Sequence, residues 1–109
     1  MLITSAQAQS WLDSGVSDIL AAAGFLPSIV GSVANKGESA HDLDILLRAT
    51  EPLWSLENQI DAFQFLAPKL GLIDLSPTPV EAAGFNDRWF LSASLPNGWL
   101  VEFYFIDLP

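Results

Sequence analysis

Apolar residues recur at helical spacing early in the chain. Trp11, Leu12, Val16, Ile19, Leu20 and Ala23 form one stripe, with Thr4 or Ser5 placed to cap the helix that carries it. Gly15 interrupts the stripe and is placed to split it into two short helices, and Gly24 ends it. The period then changes. Phe25–Val30 is a short apolar run, read as a strand, and Pro27 marks it as an edge strand or an irregular one. Residues 33–41 are small and polar and read as a loop. Leu43, Ile45 and Leu47 alternate with Asp44, which predicts a second strand. Helical spacing returns from Pro52 to Leu70, with Ser55 as a candidate N-cap, Leu56, Ile60, Phe63, Leu66 and Ala67 as the buried face, and Gly71 at the stop. Leu72–Leu75 reads as a short strand before a Pro77-Thr78-Pro79 turn. Arg88–Leu95 and Trp99–Asp107 read as two strands joined by Pro96-Asn97-Gly98, a strong hairpin signal. The order of helix, strand, strand, helix and hairpin predicts an α+β fold, a mixed and mostly antiparallel sheet flanked by helices.

Composition narrows the class. The 109 residues suit one domain, 1–109, with a core that needs no staples. Half the residues are hydrophobic, which excludes intrinsic disorder. Absence of cysteine excludes a disulfide scaffold and thiolate metal sites, and suits a reducing cytoplasm. The N-terminus lacks the basic region of a signal peptide, and runs such as Ile19–Val30 are too short for a bilayer. The expectation is a soluble, cytoplasmic protein with no membrane partner. Thirteen acids against four bases give a net charge of −9. Such a body repels phosphate backbones, so direct nucleic-acid binding is not expected. Divalent cations, basic proteins and cationic small molecules remain compatible.

One segment carries chemistry: Gly31-Ser32-Val33-Ala34-Asn35-Lys36-Gly37-Glu38-Ser39-Ala40-His41-Asp42-Leu43-Asp44-Ile45-Leu46-Leu47. Asp42 and Asp44 lie two apart at the head of a strand, so both carboxylates point to one face. Paired carboxylates repel unless a cation lies between them, which is how a Mg²⁺ site is built. Gly31 lets a backbone approach a ligand closely, and Ser32 offers a hydroxyl to phosphate. Phosphate donors beside a metal pair describe a nucleoside triphosphate site. A lone Asp-x-Asp is ordinarily a solvated strand end, and a lone Gly-Ser a turn; the ordered combination is more specific. Glu102 stands out separately, as the acid within the almost wholly apolar run Trp99–Ile106. A buried carboxylate there is costly unless paired or metal-bound, and the alternative is an edge strand that exposes Glu102 to water.

The segment resembles the signature of the nucleotidyltransferase superfamily. The nine residues between Ser32 and Asp42 look most like the family X DNA polymerase version, which Lys36-Gly37-Glu38-Ser39 and His41-Asp42-Leu43-Asp44-Ile45-Leu46 echo. The resemblance implies the polymerase beta palm-like fold of that superfamily. It also implies two Mg²⁺ ions held by two aspartates and a third carboxylate from a later strand. Leu100-Val101-Glu102-Phe103 fits that strand, which makes Asp42, Asp44 and Glu102 the expected catalytic and metal ligands. Asp107 is the rival third carboxylate. Gly31, Ser32 and Lys36 are the expected triphosphate contacts. The likeness runs from about Phe25 to Ile106 in element order, and is specific over Gly31–Leu47.

Three departures shape the functional expectation. Ala34 and Asn35 stand where the family places basic residues, leaving Lys36 nearby. Glu102 stands where aspartate is usual, and its longer side chain bears on the ion that activates the acceptor. The chain stops soon after that strand, without further domains for template and primer. With the charge, this argues against polymerase activity. The resemblance therefore implies transfer of a nucleoside monophosphate from an NTP to a protein or small-molecule acceptor by two-metal catalysis. Minimal nucleotidyltransferases of this kind serve as antitoxins or pair with helical proteins, and a basic partner suits the charge. The alternatives are a catalytically weak or inactive binding or regulatory module of the same fold, and an unrelated small α/β domain with a chance match. His41 is a candidate partner for a carboxylate or phosphate or a structural residue. Arg88 is a candidate phosphate contact or a solvated strand end, and Trp89 or Trp99 a base-stacking residue or packing.

Overall fold

The structure is a computed structural model that describes residues 2–40, 42–50, 55–79 and 88–106. A short strand, β1 (Ile3–Thr4), leads into α1 (Ser5–Trp11). Thr4 closes a capping box there: its hydroxyl accepts from the Gln7 N–H at 3.2 Å, and the Gln7 side-chain oxygen accepts from the Thr4 N–H at 3.1 Å. Within Leu12–Val16 the helix kinks at Gly15, whose φ of +113° is non-helical and favours glycine, and α2 (Ser17–Ala22) follows. The glycine thus divides the helical stripe where the sequence pattern places the break.

Next come β2 (Phe25–Val30), α3 (Gly31–Lys36), β3 (Glu38–Ser39) and β4 (Asp42–Ala49). The expected loop over residues 33–41 is corrected here. Val33 is its single buried anchor, and one anchor is too little for a periodic signal. Gly37 in the left-handed region stops the helix, and β3 then pairs with β1.

The long helix expected from Pro52 to Leu70 is also shorter. Its regular part, α4 (Leu56–Leu66), starts at Ser55, whose hydroxyl accepts from the Asn58 N–H at 3.2 Å. Pro52 lies outside the described residues. Pro68 has no N–H for the α-helical ladder, and Ala67–Leu70 continues as a 3-10 turn. The remaining strands are β5 (Ile73–Pro79), β6 (Arg88–Ser94) and β7 (Leu100–Ile106). The Pro77-Thr78-Pro79 turn is corrected as well, because that stretch is the paired end of β5. Pro96-Asn97-Gly98 turns the chain as expected, with Leu95 N–H donating to the Trp99 carbonyl at 2.9 Å.

Five strands form one sheet in the order β2-β4-β7-β6-β5. β4 and β7 run parallel and the other pairs antiparallel, so the sheet is mixed and mostly antiparallel. Pro27, Pro77 and Pro79 lie on the edge strands β2 and β5, the strands in which proline is tolerated. β7 is interior, which overturns the edge-strand alternative for Glu102.

Leu43, Ile45 and Leu47 of β4 and Val101, Phe103 and Phe105 of β7 are fully buried. They share one core with Leu12, Val16 and Leu20 of the first helical stretch and Ile60 and Phe63 of α4. The helices therefore cover one face of the sheet. The alternate positions Asp42, Asp44, Leu46, Leu100, Glu102 and Tyr104 are half-exposed on the other face. Among the described residues, no helix is long and apolar enough to cross a membrane.

Phe63 sits at the centre of the core. Its ring lies 4.7 Å from Phe103, 5.4 Å from Phe105 and 6.1 Å from Phe25, the last two edge-on. Phe63→Ala should lower the unfolding free energy by about 3–5 kcal/mol, read from urea denaturation. A loss below about 1 kcal/mol would show that α4 is not packed as described.

Candidate functional site

The pairing register assembles the site. In β4–β7 the Cα of Asp44 lies opposite Glu102, and Asp42 lies opposite Leu100. Asp44 also lies opposite Val30 of β2, and Glu102 opposite Ser92 of β6. One row thus crosses the open face from Val30 through Asp44 and Glu102 to Ser92. Strand periodicity puts Asp42 on the same face, one step along β4.

Gly31 follows Val30 and turns the chain over this row at φ +69°. A Cβ built there would overlap the Asp44 Oδ2 atom, and would lie 3.0 Å from Cγ and 3.1 Å from Cβ of Asp44. Glycine is required twice over, for the backbone conformation and for the close approach. Gly31 therefore receives the carboxylate of Asp44 rather than simply ending a strand.

Two openings flank the row. One, of about 250 Å³, is lined by Val30, Gly31, Asp44, Leu46 and Tyr104. The other, of about 420 Å³, includes Ser32, Lys36, Ser39 and Asp42 in its lining. The structure thus brings Gly31 to Asp44, Asp44 beside Glu102, and Ser32 and Lys36 to the same opening as Asp42. Ser32 and Lys36 are exposed on α3, as are Ala34 and Asn35. The Ser39 hydroxyl accepts from the Asp42 N–H at 3.3 Å.

The charges interact. The Asp44 carboxyl is pushed up from an ordinary 3.8 to about 6, first by burial, then by the charges of Glu102 and Asp42. The three acids therefore share one electrostatic neighbourhood. Tyr104 carries no motif signal of its own, although it lies two residues from Glu102 on the same strand face. Its hydroxyl donates to Glu102 Oε2 at 2.8 Å. Burial, this hydrogen bond and the nearby carboxylates hold the phenol above its ordinary range, so it stays a donor at neutral pH.

The cation that the resemblance implies can be weighed against these residues. Three carboxylates, all oxygen donors, have the chemistry that a hard divalent cation takes. The mutual repulsion felt at Asp44 fits a positive charge in the row, and the space at Gly31 accommodates the Asp44 carboxylate. As placed, no group of three or more His, Asp or Glu side chains among the described residues is set to hold a metal ion.

Other expectations resolve differently. Trp99 is only 8% exposed and belongs to the core, which removes it as a base-stacking residue. His41 and Asp107 lie outside the described residues, as do the side chains of Arg88 and Trp89. No protein-family model matches the chain, and no curated protein matches it.

Two outcomes follow for the unliganded site. In metal-free buffer, Asp44 holds its proton more tightly folded than unfolded. Its contribution is present below about pH 3.8 and is lost as pH rises through about 6. Asp44→Asn should flatten that stretch of the melting-temperature profile; an unchanged slope would contradict the electrostatic picture. Gly31→Ala should destabilise more than Gly37→Ala, whose φ is +80° but whose Cβ would meet nothing within 4 Å. The control should lose about 1–2 kcal/mol from backbone strain alone. Equal losses would mean that Asp44 does not need the space.

Proposed function

We propose that this chain is a nucleotidyltransferase domain of the polymerase beta-like kind, transferring a nucleoside monophosphate from an NTP to a protein or small-molecule acceptor. The observation that carries the reading is the parallel β4–β7 register, which sets Asp44 opposite Glu102 with Asp42 on the same open face. The motif alone supplies the two aspartates; the register adds an independent third carboxylate in the row.

The roles follow from position. Ser32 and Lys36 share an opening with Asp42, so a hydroxyl and a cation are available there to triphosphate oxygens. Asp42 and Asp44 would hold divalent cations, and Glu102, opposite Asp44, would serve the acceptor side. Mg²⁺ bound there would neutralise phosphate charge and activate the acceptor hydroxyl. The acceptor hydroxyl loses its proton to a carboxylate of the row or to water, its oxygen bonds to the α-phosphorus, the bond from that phosphorus to the α–β bridging oxygen breaks, and pyrophosphate leaves. The −9 charge favours a protein or small-molecule acceptor over a nucleic acid, and suits a basic partner protein. An antitoxin-type role, in which the acceptor is a partner toxin, fits that description.

A second reading keeps the fold without efficient catalysis, as a binding or regulatory module. Exposed Ala34 and Asn35 favour it, since they leave the triphosphate side with little positive charge.

The test is labelling from α-³²P NTPs with Mg²⁺ or Mn²⁺, against candidate acceptors, beside equilibrium NTP binding. Asp42→Asn and Asp44→Asn should each reduce transfer by at least about 10²–10³-fold, the loss typical of removing an electrostatic stabiliser. Metal-dependent NTP binding without transfer would favour the module. Neither binding nor transfer, with both variants unchanged, would refute the shared site.

A further inference from the structure

Phe65 lies in the helix that covers the core, yet it is 83% exposed, the most of any large apolar side chain among the described residues. Phe63, two residues earlier, is fully buried, so the helical period turns Phe65 outward. Asp61 lies one turn before Phe65 and Lys69 one turn after it, and both are exposed. Asp61, Gln64 and Phe65 line one shallow opening. Ile19, Ala22 and Ala23, at the end of α2, line another with Leu66 and Lys69, of about 270 Å³. Small-molecule sites run to about 300–1,000 Å³, so this opening suits one side chain better than a ligand.

The patch is self-complementary. Two copies can pack α4 against α4, antiparallel, about a two-fold axis at Phe65 and Leu66. Phe65 of each copy then meets Leu66 of the other and the opening that Leu66 lines. The same register brings Asp61 of each copy alongside Lys69 of the other. A uniformly basic partner would oppose Lys69, and an acidic one Asp61. A second copy meets both with the opposite sign. The −9 charge on each copy resists association at long range. Physiological salt screens that repulsion beyond about 8 Å and leaves pairs in contact.

We propose that the α2–α4 face is an isologous contact between two copies of this chain, with each Phe65 seated in the other's opening and each Asp61 paired with the other's Lys69. It lies across the sheet from the acidic row and does not depend on the nucleotidyltransferase reading. The patch spans little more than one helix and its neighbour, short of the about 1,600 Å² of a standard interface. The dimer is therefore weak and forms at high concentration.

Sedimentation equilibrium of the full chain in physiological salt, from about 5 μM to about 1 mM, tests this. The mass should rise from monomer to dimer and no further. Phe65→Ala should weaken the dimer at least about 10-fold, as loss of a buried aromatic anchor does. Asp61→Lys and Lys69→Asp each set like charges face to face and should weaken it by about 3–30-fold. The double swap, Asp61→Lys with Lys69→Asp, should return to within about 3-fold of wild type, because the two positions are coupled across the axis. Thermal melting at about 5 μM checks that each variant folds. The swap carries the test by itself if Phe65→Ala folds poorly. A chain that stays monomeric throughout overturns the proposal, including the case in which another protein or segment covers Phe65. A dimer indifferent to Phe65→Ala, or a double swap no better than the single reversals, overturns it too.

Discussion

The parallel pairing of β4 and β7 constrains everything else in the molecule. Each strand buries every second residue, Leu43, Ile45 and Leu47 in one and Val101, Phe103 and Phe105 in the other. With those positions committed to the core, Asp42, Asp44, Glu102 and Tyr104 can only face outward. A slip of one residue in either strand would carry carboxylates into the phenylalanine cluster, where an unpaired charge is not tolerated. The apolar side of the sheet therefore enforces the register of the polar side. The site is held in place by the core beneath it.

The connection explains why β7 ends up beside β4. After β4 the chain passes through α4 to the far edge and lays down β5. It then returns through β6 and β7, which fill the gap. Phe63 of α4 packs on Phe103 and Phe105 of the last strand and on Phe25 of the first in the sheet. The same helix that covers the core thus secures the strand that brings Glu102. On the open face the energetics run the other way. Burial, and then the charges of Glu102 and Asp42, raise the affinity of Asp44 for its proton. Gly31 and Tyr104 stabilise that arrangement locally. One removes a side chain to make room for a carboxylate, and the other donates a hydrogen bond to one.

Much of this was legible in the residues. Alternation in Leu43–Leu47 and Leu100–Ile106, the Pro96-Asn97-Gly98 turn and the Gly15 break are local signals, and each element forms near its expected place. Gly31, Asp42 and Asp44 were singled out by type and spacing. What escaped was either too short or too distant to be periodic. α3 buries only Val33, so it left no stripe. Two prolines in three residues of β5 read as a turn, and only the sheet order shows that they pair at an edge, where strand proline is tolerated.

The sequence by itself determined the faces: which residues turn inward and which outward, where chains bend, and that two aspartates share one side of a strand. These follow from side-chain period and backbone sterics, which act over a few residues. Only the tertiary structure decided the neighbours. That β7 lies inside the sheet, that Glu102 lies opposite Asp44 across a parallel ladder, and that Gly31 meets the Asp44 carboxylate depend on pairing between distant segments. Such pairing is chosen by burial of the whole core, and no stretch of the chain carries it alone.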